Sequence, residues 1–115
     1  MAIFSISIAK EFSDTPAGRF KSDGPFSGEV FREKLLHPAL VAHEEVEVNL
    51  DGALGYGSSF LEEAFGGLVR EHGMTNEELR RKLHVKTSRR FYDERIWSYI
   101  KDAQVAEQEI GRAHV

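Results

Sequence analysis

The chain has 115 residues, 41% of them hydrophobic and 30% charged, and contains no cysteine. Length and balance are those of one globular domain that can bury a core without staples. The missing cysteine excludes disulfides, thiolate nucleophiles and Cys-ligated zinc, and the net charge of −4 speaks against a uniformly basic nucleic-acid binder.

Residues 3–8 form a short run rich in β-branched side chains and read as a strand. Residues 1–9 alternate polar and apolar, so no signal peptide is expected. No run approaches the roughly 18–20 apolar residues of a membrane span, and a cytoplasmic protein is the default expectation. Pro16, Gly18 and Gly24 mark residues 14–25 as a loop with room for a short strand at 19–21. Ser27 is a natural N-cap for a helix over 28–36, with Glu29 in its first turn; Pro38 is expected to end or kink it, with continuation to His43 as the alternative. Residues 46–50 alternate as a second strand, and 51–57 are a glycine-rich loop. A helix from Phe60 to about His72 follows, its apolar stripe at Phe60, Leu61, Ala64, Phe65, Leu68 and Val69. Gly73 is its stop. Thr75 to Glu78 has the form of a capping box opening a short helix. Residues 84–87 are a weak strand candidate, and a terminal helix spans 90–109, with Ile96, Tyr99, Ile100 and Ala103 inward. Strands alternating with helices predict one α/β sandwich with a mixed sheet.

The chemically suggestive unit is strand, glycine-rich turn, helix. Helix N-termini carry unpaired N–H groups and partial positive charge, and so favour anions. Gly52, Gly55 and Gly57 let the backbone turn and approach a partner closely. A hydroxyl at Ser58 or Ser59 suits phosphorylation, because the added charge is stabilised locally. The plainer reading is that the two serines cap the helix. A Walker-A loop needs Gly-Lys-Ser/Thr, but no lysine lies between Lys34 and Lys82. The Gly-x-Ser-x-Gly elbow is absent too, since Leu61 stands where its second glycine belongs.

Other candidates are weaker. His37, His43, His72, His84 and His114 show no metal-ligand spacing, so neither metal nor cofactor is expected. Glu62 and Glu63 read as first-turn acids favoured by the helix dipole, with Glu63 kept as a partner contact. Arg19 and Glu29 flank the loop as a possible pair or clamp. Residues 80–95 hold seven Lys/Arg against Asp93 and Glu94, a local +5 that leaves the rest of the chain at −9. Arg80, Arg81, Lys82, Lys86, Arg89 and Arg90 are therefore a solvated face or a patch for nucleic acid or an acidic partner, with Phe91, Tyr92 and Trp97 interleaved.

Two groups of residues carry a family resemblance. Val46-Glu47-Val48-Asn49-Leu50-Asp51-Gly52, then Gly57-Ser58-Ser59-Phe60-Leu61, then Leu68-Val69 resemble the signature of STAS domains, the anti-sigma-factor-antagonist modules. Gly18-Arg19, Gly24-Pro25-Phe26-Ser27-Gly28-Glu29 and Ser58-Ser59-Phe60-Leu61-Glu62-Glu63-Ala64-Phe65-Gly66 resemble the STAS-like family of unknown function that often neighbours GHKL-type ATPases. The resemblance spans about residues 3–102. It implies that Ser58 matches the serine phosphorylated by a partner GHKL kinase, with Ser59 beside it. Gly57 stands where that pattern has Asp, and Phe60 where it has Gly.

The expectation is therefore a STAS-like α/β domain over 1–103, with a mixed β-sheet and helices mainly on one face, and 104–115 as a helix end or flexible tail. Its expected function is non-enzymatic and regulatory: binding a GHKL-type ATPase or kinase through Gly55, Gly57, Phe60 and Glu63, with Ser58 or Ser59 as phosphoacceptor. The alternative is a nucleic-acid-binding accessory protein using residues 80–95.

Overall fold

The computed structural model describes residues 2–113, with side chains through residue 109. Three short alternating runs make its sheet: β1 (Phe4–Ser7), β2 (Val46–Asn49) and β3 (Leu83–Lys86), in that spatial order and parallel throughout. The register aligns Phe4, Val46 and Leu83 in one row, and Ile6, Val48 and Val85 in a second row on the same face. Ile6, Val46, Val48 and Leu83 are buried there. The alternate rows, Ser5–Glu47–His84 and Ser7–Asn49–Lys86, belong to the opposite face and stay partly or fully exposed. The helices pack on the apolar face.

The α/β fold is the one expected, but the sheet is parallel where the sequence suggested a mixed one. The candidate strand at 19–21 does not form. Lys21–Asp23 is instead a single 3-10 turn, and Asp23 Oδ2 accepts from the N–H groups of Arg19 and Phe20. Both connections are then long crossovers, as parallel neighbours require. The first strand is also shorter than its sequence run. Ile8 opens α1 (Ile8–Glu11), with Ser7 as N-cap, and Glu11 reaches back to the Ser7 N–H at 2.6 Å.

Two helices of the layer share an unusual build. In α2 an α-helical turn (Gly28–Phe31), a π-helical stretch (Arg32–Leu36) and a further α-helical stretch (His37–Ala42) follow without a break. In α3 the same succession is Ser58–Leu61, Glu62–Gly66 and Gly67–His72. Ser27 caps α2 as expected, its hydroxyl accepting from the Val30 N–H. Pro38 does not end α2. A proline clashes with the carbonyl four residues earlier, and the wider π turn immediately before it, closed by the His37 N–H on the Arg32 carbonyl, lets the helix continue.

Gly73 stops α3 with φ +67, and Met74 N–H returns to the Leu68 carbonyl. The capping box forms at α4 (Asn76–Lys82), Thr75 and Glu78 exchanging backbone-to-side-chain bonds. The last helix, α5 (Arg90–Ala113), runs past residue 104. The end of the expected 104–115 tail, His114 and Val115, lies outside the described residues.

Helix α3 is central, packed against α2 on one side and α5 on the other. Phe60, Leu61, Ala64, Phe65 and Leu68 meet Phe31, Leu36 and Leu40 of α2 and Ile96 and Ile100 of α5 in one core. The α2–α3 approach is closest at Gly28, where a Cβ would overlap the Phe60 carbonyl and lie 3.1 Å from the Ala64 nitrogen. Backbone cannot yield as a flexible side chain does. Gly28→Ala is expected to lower stability by roughly 1–3 kcal/mol, the range for overpacking, as read from urea unfolding.

Candidate functional site

The carboxyl ends of the three strands point to one end of the molecule, where the loops after β2 and β3 meet. Asp51 joins them: its Oδ1 accepts from the Ser88 N–H at 2.8 Å and from the Ser88 hydroxyl at 2.9 Å. Those two bonds favour the ionised form and hold the Asp51 pKa below its ordinary value. Gly52 turns the loop at φ +97. Tyr56 anchors its far end, its hydroxyl donating to the Leu50 carbonyl at 2.6 Å and its N–H donating to the Tyr92 hydroxyl at 3.2 Å. Burial, with Tyr92 and Asp51 beside it, pushes the Tyr56 phenol well above its ordinary pKa, so it stays a donor. The loops enclose a shallow cleft whose polar wall is Thr87, Ser88 and Arg89. Leu54 stands on its rim, 82% exposed.

The loop delivers the chain into α3 at the two serines. The sequence reading makes them caps, but the cap is Gly57 and the helix begins at Ser58. Ser58 and Ser59 occupy the first turn, both exposed, and neither hydroxyl has a hydrogen-bond partner among the described residues. Gly57 has φ −73 and nothing within 4 Å of a Cβ, so neither strain nor space requires a glycine there. Gly55 is half-buried, a Cβ there lying 3.6 Å from the Tyr92 hydroxyl.

Phe60 and Glu63, expected as partner contacts, face inward instead. Phe60 is a core residue beside Phe31 and Tyr56. Glu63 is buried against α2, and because α3 starts two residues earlier than expected, Glu62 and Glu63 lie in its second turn rather than its first. There they meet three arginines. Arg32 Nη1 donates to Glu63 Oε2 at 2.7 Å and to the Glu63 carbonyl at 2.6 Å, and both side chains are buried. Arg70 grips Glu62 with both terminal nitrogens, at 2.5 and 3.0 Å. Arg19 brings the loop before α2 to the same place, Nη1 donating to Glu62 Oε1 at 2.5 Å and to Glu63 Oε1 at 3.4 Å. The sequence pairing of Arg19 with Glu29 is replaced by this one: Glu29 accepts from the Lys21 N–H.

Burial alone would raise the Glu62 pKa and lower that of Arg32. The hydrogen bonds outweigh it, so Glu62 lies below its ordinary value and Arg32 above. Both acids and Arg32 lie in the π-helical stretches of facing helices, a placement frequent at functional sites. Breaking a buried pair by removing one member strands the other. Glu63→Leu is expected to cost roughly 3–5 kcal/mol in urea unfolding, with Arg32→Met, Glu63→Leu together costing less than that single change.

The network extends to two histidines. Glu33 Oε2 accepts from Arg32 Nε at 2.7 Å and meets His72 Nε2 at 2.6 Å. The rings of His37 and His72 stack at 3.5 Å across α2 and α3. Burial first, then the neighbouring His72, holds the His37 pKa below its ordinary 6.5. The unfolded chain then binds more protons than the folded one as pH falls through that value, so stability present above pH 6.5 declines below it. The urea midpoint is expected to fall between pH 7.5 and 5.5, and to fall less in His37→Gln.

His84 meets Glu45 and His43 stacks on Phe4. No group of three or more His, Asp or Glu gathers to hold a metal ion among the described residues. The basic run is not carried by one element. It is spread over α4, β3 and the start of α5, with Arg80, Arg81, Lys86, Arg89 and Arg90 exposed and Lys82 half-buried. Arg80 lies 4.0 Å over the Trp97 ring, and Arg95 lies over Phe91, so both rings already carry a cation. No helix is long and apolar enough to cross a membrane among the described residues.

A family model described as a STAS-like domain of unknown function (DUF4325) matches residues 27–96, from the cap of α2 to the second turn of α5. No curated protein and no solved structure matches the chain.

Proposed function

The chain belongs to this STAS-like family of unknown function, and from that premise we propose that it is a non-enzymatic regulatory module that acts by being bound. Its partner is a GHKL-type ATPase or kinase. The contact is the loop 51–57 with the first turn of α3, and the switch is phosphorylation of Ser58, with Ser59 as the second acceptor.

The observation that carries this reading is the state of the two hydroxyls. Gly57 has taken the capping position, so neither serine is occupied in holding the helix. They stand exposed on a rigid element whose next two residues, Phe60 and Leu61, are buried. The loop that leads into them carries Leu54, an apolar side chain that is 82% exposed. A phosphate there adds about −1.5 to −2 charges at neutral pH. The start of the helix tolerates them, whereas an apolar contact formed around Leu54 does not, because docking would have to desolvate the phosphate.

In the transfer, Ser58 Oγ forms the bond to the γ-phosphorus of ATP as the bridging oxygen to the β-phosphorus leaves with ADP. The hydroxyl proton goes to a base on the kinase. Incubation with a GHKL-type kinase and ATP is expected to add one phosphate to the intact mass of the wild type and none to the Ser58→Ala, Ser59→Ala double variant. An unmodified wild type, or a modified double variant, overturns the assignment.

A further inference from the structure

We infer that the cleft between the loops after β2 and β3 binds a carboxylate group, carried by a small molecule or by an acidic side chain of a partner. The inference does not depend on Ser58 or on its modification.

The cleft lies outside the carboxyl ends of parallel strands, where open α/β sheets bind their ligands, and its volume is about 150 Å³. A cavity of roughly this size holds a six-atom ring, so the cleft takes a group the size of a side chain and not a nucleotide. Two donors on its walls are unused. Tyr92 is only 7% exposed. Its hydroxyl oxygen accepts from the Tyr56 N–H, but its proton has no acceptor among the described residues. That hydroxyl lies at Gly55, 3.6 Å from where a Cβ would stand, and Gly55, Tyr56 and Tyr92 all line the cleft. Buried hydroxyls ordinarily find an acceptor, as Tyr56 does in the Leu50 carbonyl. The second donor is Arg89, on the exposed wall, whose guanidinium has no partner among the described residues. In the same basic run Arg90 is engaged with Glu94, Arg80 with Trp97 and Arg95 with Phe91.

These donors set the class of ligand. A buried phenol O–H and a guanidinium at the mouth call for an acceptor with negative charge, and a carboxylate accepts from both. Asp51 limits how much charge that acceptor carries. It lines the same cleft, with its Oδ1 taken by the Ser88 N–H and hydroxyl. Lys86 and Arg89 are close enough to act on it as cations, so positive charge outweighs negative there by one. A singly charged carboxylate matches that balance. A phosphate, with about −1.5 to −2 charges at neutral pH, is left facing Asp51. A cation fits no better, because the free buried group is a donor.

The test is a titration of the isotope-labelled full chain with propionate, read from the amide resonances of Gly55, Tyr56, Ser88 and Arg89, with sodium chloride at equal ionic strength as the control. Saturable shifts are expected with propionate and not with chloride. The affinity is expected to fall roughly fivefold or more in Arg89→Gln and in Tyr92→Phe, as for the loss of one charge-assisted hydrogen bond. Arg90→Gln, which removes an equal charge outside the cleft, should leave it unchanged. Tyr92→Phe also takes the acceptor from the Tyr56 N–H; should it disturb the loop, Arg89→Gln carries the test alone, with Arg89→Lys keeping part of the affinity. Capped glutamate in place of propionate identifies the source. Tighter binding than propionate points to a partner's side chain and equal or weaker binding to a free small carboxylate, and either supports the site. No saturable shift with both probes, an equal response to chloride, or an affinity unchanged in Arg89→Gln overturns the inference.

Discussion

The helical layer is organised around one buried ion pair, Arg32 with Glu63. Taking two charges out of water costs several kcal/mol each unless close geometry and further hydrogen bonds compensate. The fold supplies both. Arg32 reaches the carboxylate and the main-chain carbonyl of the same residue, while its Nε is held by Glu33. The guanidinium rests over Gly67, where a Cβ would coincide with Nη1, and the neighbouring Gly66 leaves the corresponding space to Glu62 and Arg70. Two adjacent glycines inside a helix are locally unfavourable, at about 1 kcal/mol each relative to alanine. They persist because the helix surface there is covered by arginine.

Both members of that pair lie where their helices change form. Each goes over to π geometry in the stretch that contains its member of the pair, Arg32–Leu36 in α2 and Glu62–Gly66 in α3. A π turn rotates the residues after it around the helix axis relative to a regular α-helix. In α3 the residues of the stretch itself are divided between the core, at Ala64 and Phe65, and the pair with α2, at Glu63. In α2 the same widening carries the chain past Pro38.

Much of the architecture was legible because its signals are local. Ser27, the Thr75 and Glu78 box, Gly73 and the alternation of residues 46–49 each act within four residues of themselves, and each is realised. The π stretches were not legible, since an apolar stripe at helical spacing does not separate them from regular helix. Nor was the Arg32–Glu63 contact, which joins residues 31 positions apart with no local mark. A two-residue error in the start of α3 then changed the meaning of two acids. Counted from Phe60 they are first-turn residues explained by the dipole; counted from Ser58 they lie in the second turn, within reach of three arginines. The same shift exchanged the roles of Gly57 and the serines. At the site, the exposed loop and hydroxyls followed from the sequence, while the burial of Phe60 and Glu63 needed the packing of α2.

The uncapped start of α3 completes the physical picture. A glycine cap is weaker than serine by only a few tenths of a kcal/mol, so releasing both hydroxyls costs the helix little. What keeps its first turn from fraying is burial: Phe60 and Leu61 lock into the core directly after Ser59. A charge added at the serines therefore meets a turn that has no easy local unfolding to relieve it. Its effects go outward, to whatever docks on the loop that carries Leu54. One helix, with an exposed end and a charged, buried middle, thus carries both the surface and the ion-pair network.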